Sequence, residues 1–305
     1  MTTAIENMFK DKVLGHPAGL FVLFFTEMWE RFSYYGMRAL LVMFFTASLL
    51  DGGWGWPREH AYAIFGTYTS LVYLSTLLGG YFADKKIGYR YAVVIGALLM
   101  TLGHGAMAVE TPFFIYLGLT LLVFGSGFFK PNMTSIISEM YKGKDEKKDG
   151  AYTIFYMGVN AGAFLGILLC GYLGEQVGWR WGFGLAGIFM LFGLLQFWFA
   201  QNIFGDIGTK PVKVDSNDLK LSADEPKLNP FTSLQLGLIA IASVLGISWI
   251  FNDPISKISE GAYNLFDFNM FGMEGSNVAI LTALGLFVLL PVSYTHLTLP
   301  TKSTV

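Results

Sequence analysis

Glu27, Glu30, Arg31, Tyr34, Tyr35 and Arg38 recur at helical spacing inside a stretch that is otherwise almost entirely Leu, Phe, Val, Met and Ala. At 3.6 residues per turn this spacing gathers them on one face. An ionised side chain turned toward hydrocarbon costs about 3 kcal/mol even on a lenient insertion scale, so the stripe faces protein, water or a passing solute. Carboxylates can exchange protons, guanidinium groups can draw an anion, and phenols can hydrogen-bond a solute. The reading that follows is a solute or proton pathway. A purely structural set of mutually neutralised charges is the weaker alternative, because apolar residues fill that role with less desolvation.

Other polar residues fall into the same layer. Counting about 1.5 Å per residue from one end of each apolar run places Glu27, Lys130, Tyr73 and Asn160 all about 15 Å deep, with Glu30 and Arg31 a few ångströms further in. Lys130 is followed by Pro131 and preceded by Gly125 and Gly127. Proline removes a backbone hydrogen bond and kinks a helix, and such breaks occur at membrane depth where protein or a cavity satisfies the backbone. His16, His60, His104 and Cys170 are too scattered to form a nucleophile or metal set, so neither an enzyme nor a metal site is expected. His104 reads as a packed or cavity-edge residue.

These residues need long apolar helices to hold them, and the composition supplies them. Of 305 residues, 53% are hydrophobic and 14% charged, against roughly 25% charged in a soluble domain. With about 20 apolar residues per span, helices are expected at 18–50, 61–83, 91–109, 112–140, 151–173 and 179–203. The resulting class is an all-α integral membrane protein: a short segment 1–17, a six-helix bundle 18–204, a polar linker 205–230 and a partial two-helix hairpin 231–291. The hairpin's runs are 231–251 and 277–290. The 252–276 segment reads as a loop, with Phe266, Phe268, Met270 and Phe271 able to lie on a membrane surface. The 277–290 run has 14 residues, ends at Pro291, and is followed by a tail, 292–305, without helical periodicity that reads as non-native. The chain is accordingly expected to be a fragment. The first apolar run is far too long for a signal-peptide core and is expected to be retained.

Positive charge sets an orientation. Thirteen Lys and Arg residues, among them Lys85, Lys86, Lys142, Lys147 and Lys148, fall in segments on the amino-terminal side of the membrane. The opposite connections of the first six helices hold Arg58 and Arg180. This asymmetry places the amino terminus and the 205–230 linker in the cytoplasm. Net charge is −2, and nothing suggests nucleic acid as a partner. The turn carrying Gly80, Asp84, Gly88 and Arg90 reads as a gating hinge. Gly162 and Gly166 form a small-xxx-small pair suited to close helix packing.

The run from Glu27 to Arg38, EMWERFSYYGMR, resembles the first-helix signature of the proton-coupled oligopeptide transporter family of the major facilitator superfamily. GSGFFKPN at 125–132 resembles that family's fourth-helix lysine motif, FYMGVNAGA at 155–163 its fifth-helix motif, and the 80–90 turn the superfamily's loop between helices two and three. The likeness covers about 19–202. The two later runs resemble the extra helical hairpin that bacterial members insert between their two six-helix halves.

That resemblance implies proton-coupled symport of di- and tripeptides by alternating access, in a bacterial inner membrane, with protons as coupling ion and no other cofactor. Glu27, Glu30 and Arg31 would form the proton-coupling cluster with Lys130 as cationic partner. Arg31, Arg38 and Lys130 would attract the peptide carboxylate, and Tyr34, Tyr35, Tyr73 and Asn160, with Tyr68 and Tyr156 as further candidates, would line the cavity. Gly66 stands where animal members carry a histidine, so coupling would rest on the carboxylates. A second six-helix half would be the missing partner. Carriage of nitrate or another small anion is the alternative; a channel or a membrane enzyme is a more distant one.

Overall fold

A computed structural model describes residues 12–209, 232–270 and 272–298. Residues 1–11 of the first segment, the 210–230 part of the linker, Phe231, Phe271 and the last residues of the tail lie outside them. The chain divides into two compact units, one ending at Val212 and the other beginning at Lys213.

The first unit opens with a small antiparallel hairpin, β1 (Lys12–Val13) and β2 (His16–Pro17), with Lys12 opposite Pro17 and Val13 opposite His16. Leu14 and Gly15 turn it with φ of 51° and 79°. Six long helices follow: α1 (Ala18–Thr46), α2 (Arg58–Phe82), α3 (Tyr89–Met107), α4 (Pro112–Met140), α5 (Asp145–Gln176) and α6 (Trp179–Ala200). α1 packs mainly on α5 and α6, α3 on α4 and α6, and α2 on α4, whereas α1 approaches α2 and α4 loosely. The charged stripe of α1 therefore has its open side toward α2 and α4.

Glycine fixes the α1–α5 contact. A Cβ on Gly162 would overlap the carbonyl oxygen of Met28, and one on Gly166 that of Phe32. Gly158 stands against Phe24 in the same way, adding a rung to the pair expected from sequence. On the other flank, the Gln196 side chain of α6 accepts from Trp29 Nε1 at 3.1 Å and donates to the Val22 carbonyl at 3.1 Å. Phe189 stacks on Phe32 at 4.0 Å.

The distribution of polarity is that of a bundle in lipid. Phe199 and Leu77, 76% and 73% exposed, stand on the outside, while Thr26, Glu27, Glu30, Ser33, Ser126 and Asn132 are buried. A backbone with its polar groups satisfied within each helix can face hydrocarbon. By length and composition, α2 to α6 and one helix of the second unit can each cross a membrane. α1, with 29 residues, is as long as α4, and Glu27, Glu30, Arg31 and Arg38 together are what set it apart from those spans.

At the amino-terminal end of the bundle, a π turn over Ala83–Ile87 leads into Gly88, whose φ of 81° starts α3 at a position where a side chain would be strained. α6 ends in a tighter turn, Gln201–Phe204.

The second unit holds α7 (Ser233–Ile258), a hairpin β3 (Asn269–Met270) with β4 (Met273–Glu274), and α8 (Gly275–Thr298). Thr232 and Gln235 form a capping box at the start of α7. The sequence expectation ended α7 at residue 251; the helix instead continues through Pro254 to Ile258. Asn252 then ties the following loop, accepting from Leu265 N at 2.7 Å and donating to Asn264 Oδ1 at 3.1 Å. The 252–276 stretch is thus part helix, part hairpin. α8 likewise runs through Pro291 to Thr298, where the sequence reading stopped at residue 290. Proline disfavours these positions by removing a donor, yet its φ is compatible with a helix, so it does not by itself mark the end.

Candidate functional site

The glycine rungs on α5 hold one side of α1 rigid, and the stripe projects from the remaining surface. Arg31 reaches back one turn, so that its Nε and Nη2 both meet Oε1 of Glu27, at 2.7 and 2.6 Å. Arg31 Nε also lies 3.2 Å from Glu30 Oε2, near enough for an ion pair but not aligned for a hydrogen bond. Glu27 and Glu30 are 1% and 0% exposed. Among the described residues, both oxygens of Glu30, and Oε2 of Glu27, are buried without a hydrogen bond. A buried carboxylate in that condition forfeits its hydration with little return, which makes its charge expensive to keep.

Lys130 does not join them. Among the described residues it forms no ion pair; its Nζ instead lies 3.8 Å from the centre of the Tyr34 ring. Arg38 also lacks a carboxylate partner among the described residues, and its guanidinium carbon is 5.9 Å from the Tyr34 ring and 4.9 Å from that of Phe65 on α2. Tyr35 meets Tyr34 edge-on at 5.2 Å. With both glutamates ionised, three cations face two carboxylates, and the two cations outside the ion pairs rest on aromatic rings. The arrangement favours an anion arriving from outside the cluster.

α4 delivers Lys130 through a helix whose backbone pattern is interrupted. Pro131 offers no N–H to the carbonyl of Gly127, and neighbouring side chains bond the surrounding carbonyls. Asn132 Nδ2 donates to Phe128 O at 2.7 Å, and the hydroxyls of Thr134 and Ser135 donate to Pro131 O at 2.9 and 3.0 Å. Gly79 of α2 comes against Gly127 so closely that a Cβ there would overlap its carbonyl. Ser75 Oγ donates to Val123 O at 2.7 Å and locks the same α2–α4 seam.

The structure thus brings together Glu27, Glu30, Arg31, Tyr34, Tyr35, Arg38 and Lys130. Tyr68 is 3% exposed, and its buried hydroxyl has no hydrogen-bond partner among the described residues. Tyr73 and Tyr156, 65% and 54% exposed, and Asn160, also exposed, make no side-chain hydrogen bond among the described residues. Phe65, Ser75 and Gly79 belong to the site's surroundings but had not been singled out. The sequence carries no signal for Phe65, one phenylalanine among 28.

The 80–90 turn sits apart from this cluster and is tied down within the unit. Arg90 donates from Nη1 to Gln201 O at 2.8 Å and from Nη2 to Gly205 O at 2.9 Å, while its backbone N–H meets Gly208 O at 3.0 Å. Glu139 at the end of α4 accepts from Gly208 N at 2.8 Å. Gly88 makes the left-handed corner, and Gly80 faces open space.

Residues 90–219 match the sequence model of the POT family. The peptide transporter YePEPT of Yersinia enterocolitica is 45% identical over 186 residues, which cover 60% of this chain and 36% of the relative. The di-/tripeptide transporter of Lactococcus lactis subsp. lactis is 37% identical over 246 residues, 79% of this chain and 47% of the relative. Over these segments the chain is similar to the POT family. The fold agrees: a crystal structure of a peptide transporter POT in complex with sulfate superposes with a TM-score of 0.67 at 28% identity, covering 97% of this chain and 70% of that one. The chain is a multi-pass integral membrane protein. It spans about a third to a half of the length of the curated relatives it matches.

Proposed function

We propose that this chain forms the amino-terminal half of a proton-coupled symporter for di- and tripeptides, completed by a second six-helix half. The amino terminus is cytoplasmic and the membrane is a bacterial inner membrane. The observation that carries the reading is the division of partners on α1: Arg31 takes the two buried glutamates, and Arg38 and Lys130 are left to attract a peptide carboxylate. Named relatives that transport peptides support the substrate class.

Charge competition supplies the coupling. When a peptide carboxylate already drawn to Lys130 and Arg38 also competes for Arg31, Glu30 loses its close cation, and taking up a proton removes a charge that is costly to bury. Substrate and proton load together, and the neutralised cluster lets the two halves rock between inward- and outward-open states. Tyr35, Tyr73, Tyr156 and Asn160 line the cavity and meet the peptide backbone; the exposed ones stand free to do so. Protons are the coupling ion, with no other cofactor.

The test is uptake of a labelled dipeptide by the full-length transporter in vesicles under an imposed inward proton gradient. Accumulation with acidification of the vesicle interior, blocked by excess tripeptide and unaffected by nitrate, is expected. Accumulation of nitrate in place of dipeptide would transfer the site to the small-anion reading.

A further inference from the structure

We propose that Tyr34 is a positioning residue whose ring keeps Lys130 away from Glu27 and Glu30, so that the cation awaiting the substrate stays separate from the carboxylates that handle the proton. The inference rests on the transporter reading above and deepens it.

Lys130 has a flexible four-carbon stem and enters a site where Oε2 of Glu27 and both oxygens of Glu30 lack hydrogen bonds. An ammonium with that reach and such acceptors nearby would ordinarily pair with them. Its Nζ sits instead 3.8 Å from the centre of the Tyr34 ring. The face of an aromatic ring carries negative potential and attracts a cation without being an ion. It can therefore hold Lys130 while leaving the other ammonium hydrogens free to donate to an incoming carboxylate.

Three further observations fit a platform rather than a filler. Tyr34 is 2% exposed and braced edge-on by Tyr35, so its ring has a fixed orientation. The same ring lies 5.9 Å from the Arg38 guanidinium carbon, so one neutral group serves the two cations that have no counter-ion. The Tyr34 hydroxyl makes no hydrogen bond among the described residues, which leaves the ring face as its contribution to the cluster.

Two measurements test this in the full-length transporter. In the first, Tyr34 is replaced by Phe, by Phe carrying one to three ring fluorines, and by Leu. Fluorine drains the ring face while preserving shape. Tyr34→Phe should bind a dipeptide within about threefold of the parent. Affinity should then fall stepwise with fluorine, and Tyr34→Leu should be about tenfold or more weaker. A peptide whose carboxylate is amidated should bind equally to every member of the series. Equal losses for acid and amide, or a Phe variant as weak as Leu, would overturn the proposal in favour of packing or of the hydroxyl. The second measurement needs no peptide: a structure of the substrate-free Tyr34→Leu transporter should show Lys130 Nζ within ion-pair reach of Glu27 or Glu30. Lys130 remaining apart from both would reject the inference. Failure of the parent to bind any peptide would instead reject the transporter reading and leave this structural test standing.

Discussion

Arg31 and Arg90 are both drawn into the first unit, but onto different kinds of partner. Arg31, deep in the bundle, holds carboxylates that can change charge. Arg90, at the end of the bundle, holds two backbone carbonyls that cannot. A guanidinium on carboxylates is part of an exchangeable set: an arriving anion or proton alters its energy at once. A guanidinium on carbonyls is a rivet, satisfying the last turn of α6 and fixing the start of α3 against it. The difference separates the part of the molecule able to respond to a solute from the part that keeps its frame.

The comparison breaks most visibly at Arg31. Arg31→Leu leaves two buried carboxylates without their guanidinium, and thermal unfolding in detergent should show a loss of about 3–5 kcal/mol near neutral pH. The loss should shrink toward pH of about 4, where ordinary carboxylates protonate and no buried charge remains to be compensated. A loss of the same size at both pH values would mean that Arg31 acts by packing. Arg90→Gln should cost less, about 1–2 kcal/mol for two charge-assisted hydrogen bonds to carbonyls, with no pH dependence in this range and no change in dipeptide affinity. A large fall in affinity without a fall in stability would move Arg90 from frame to site.

The smallest effect is at the amino-terminal hairpin. His16 Nδ1 lies 2.7 Å from the Tyr141 hydroxyl, and Lys147 Nζ donates to Gly15 O at 3.4 Å. Partial burial, with the Lys147 charge second, lowers the His16 pKa from its ordinary 6.5. The neutral form is the one favoured in the fold, so the hairpin's contribution is present above pH 6.5 and is lost as pH falls through the lowered value. Lys147→Gln should move the His16 titration upward when followed by NMR; an unchanged titration would leave burial as the sole cause.

Much of this was legible in the sequence, for physical reasons that differ between elements. Charge inside an apolar run is so costly that the α1 stripe, its helical period and the depth of Lys130 stand out from residue types alone. Gly162 and Gly166 announced by their spacing a close helix contact on α5, though not that its partner is α1. What the sequence did not carry was the choice of partner. Whether Lys130 meets Glu30 or the Tyr34 ring depends on a rotamer chosen where side chains of α1 and α4 meet. The carbonyls that Arg90 holds lie 111 and 115 residues away and belong to no side chain. The ends of α7 and α8 were misjudged for the same kind of reason: Pro254 and Pro291 record a missing N–H, while the continuation of a helix past them is settled by the surrounding chain.

The most direct test of the central claim is Glu30→Gln in the full-length transporter, read in vesicles both as accumulation driven by a proton gradient and as exchange of internal for external dipeptide. A neutral side chain of the same size cannot take up or release the proton, so accumulation should vanish while exchange continues. Undiminished uphill accumulation by the Glu30→Gln protein would contradict the account.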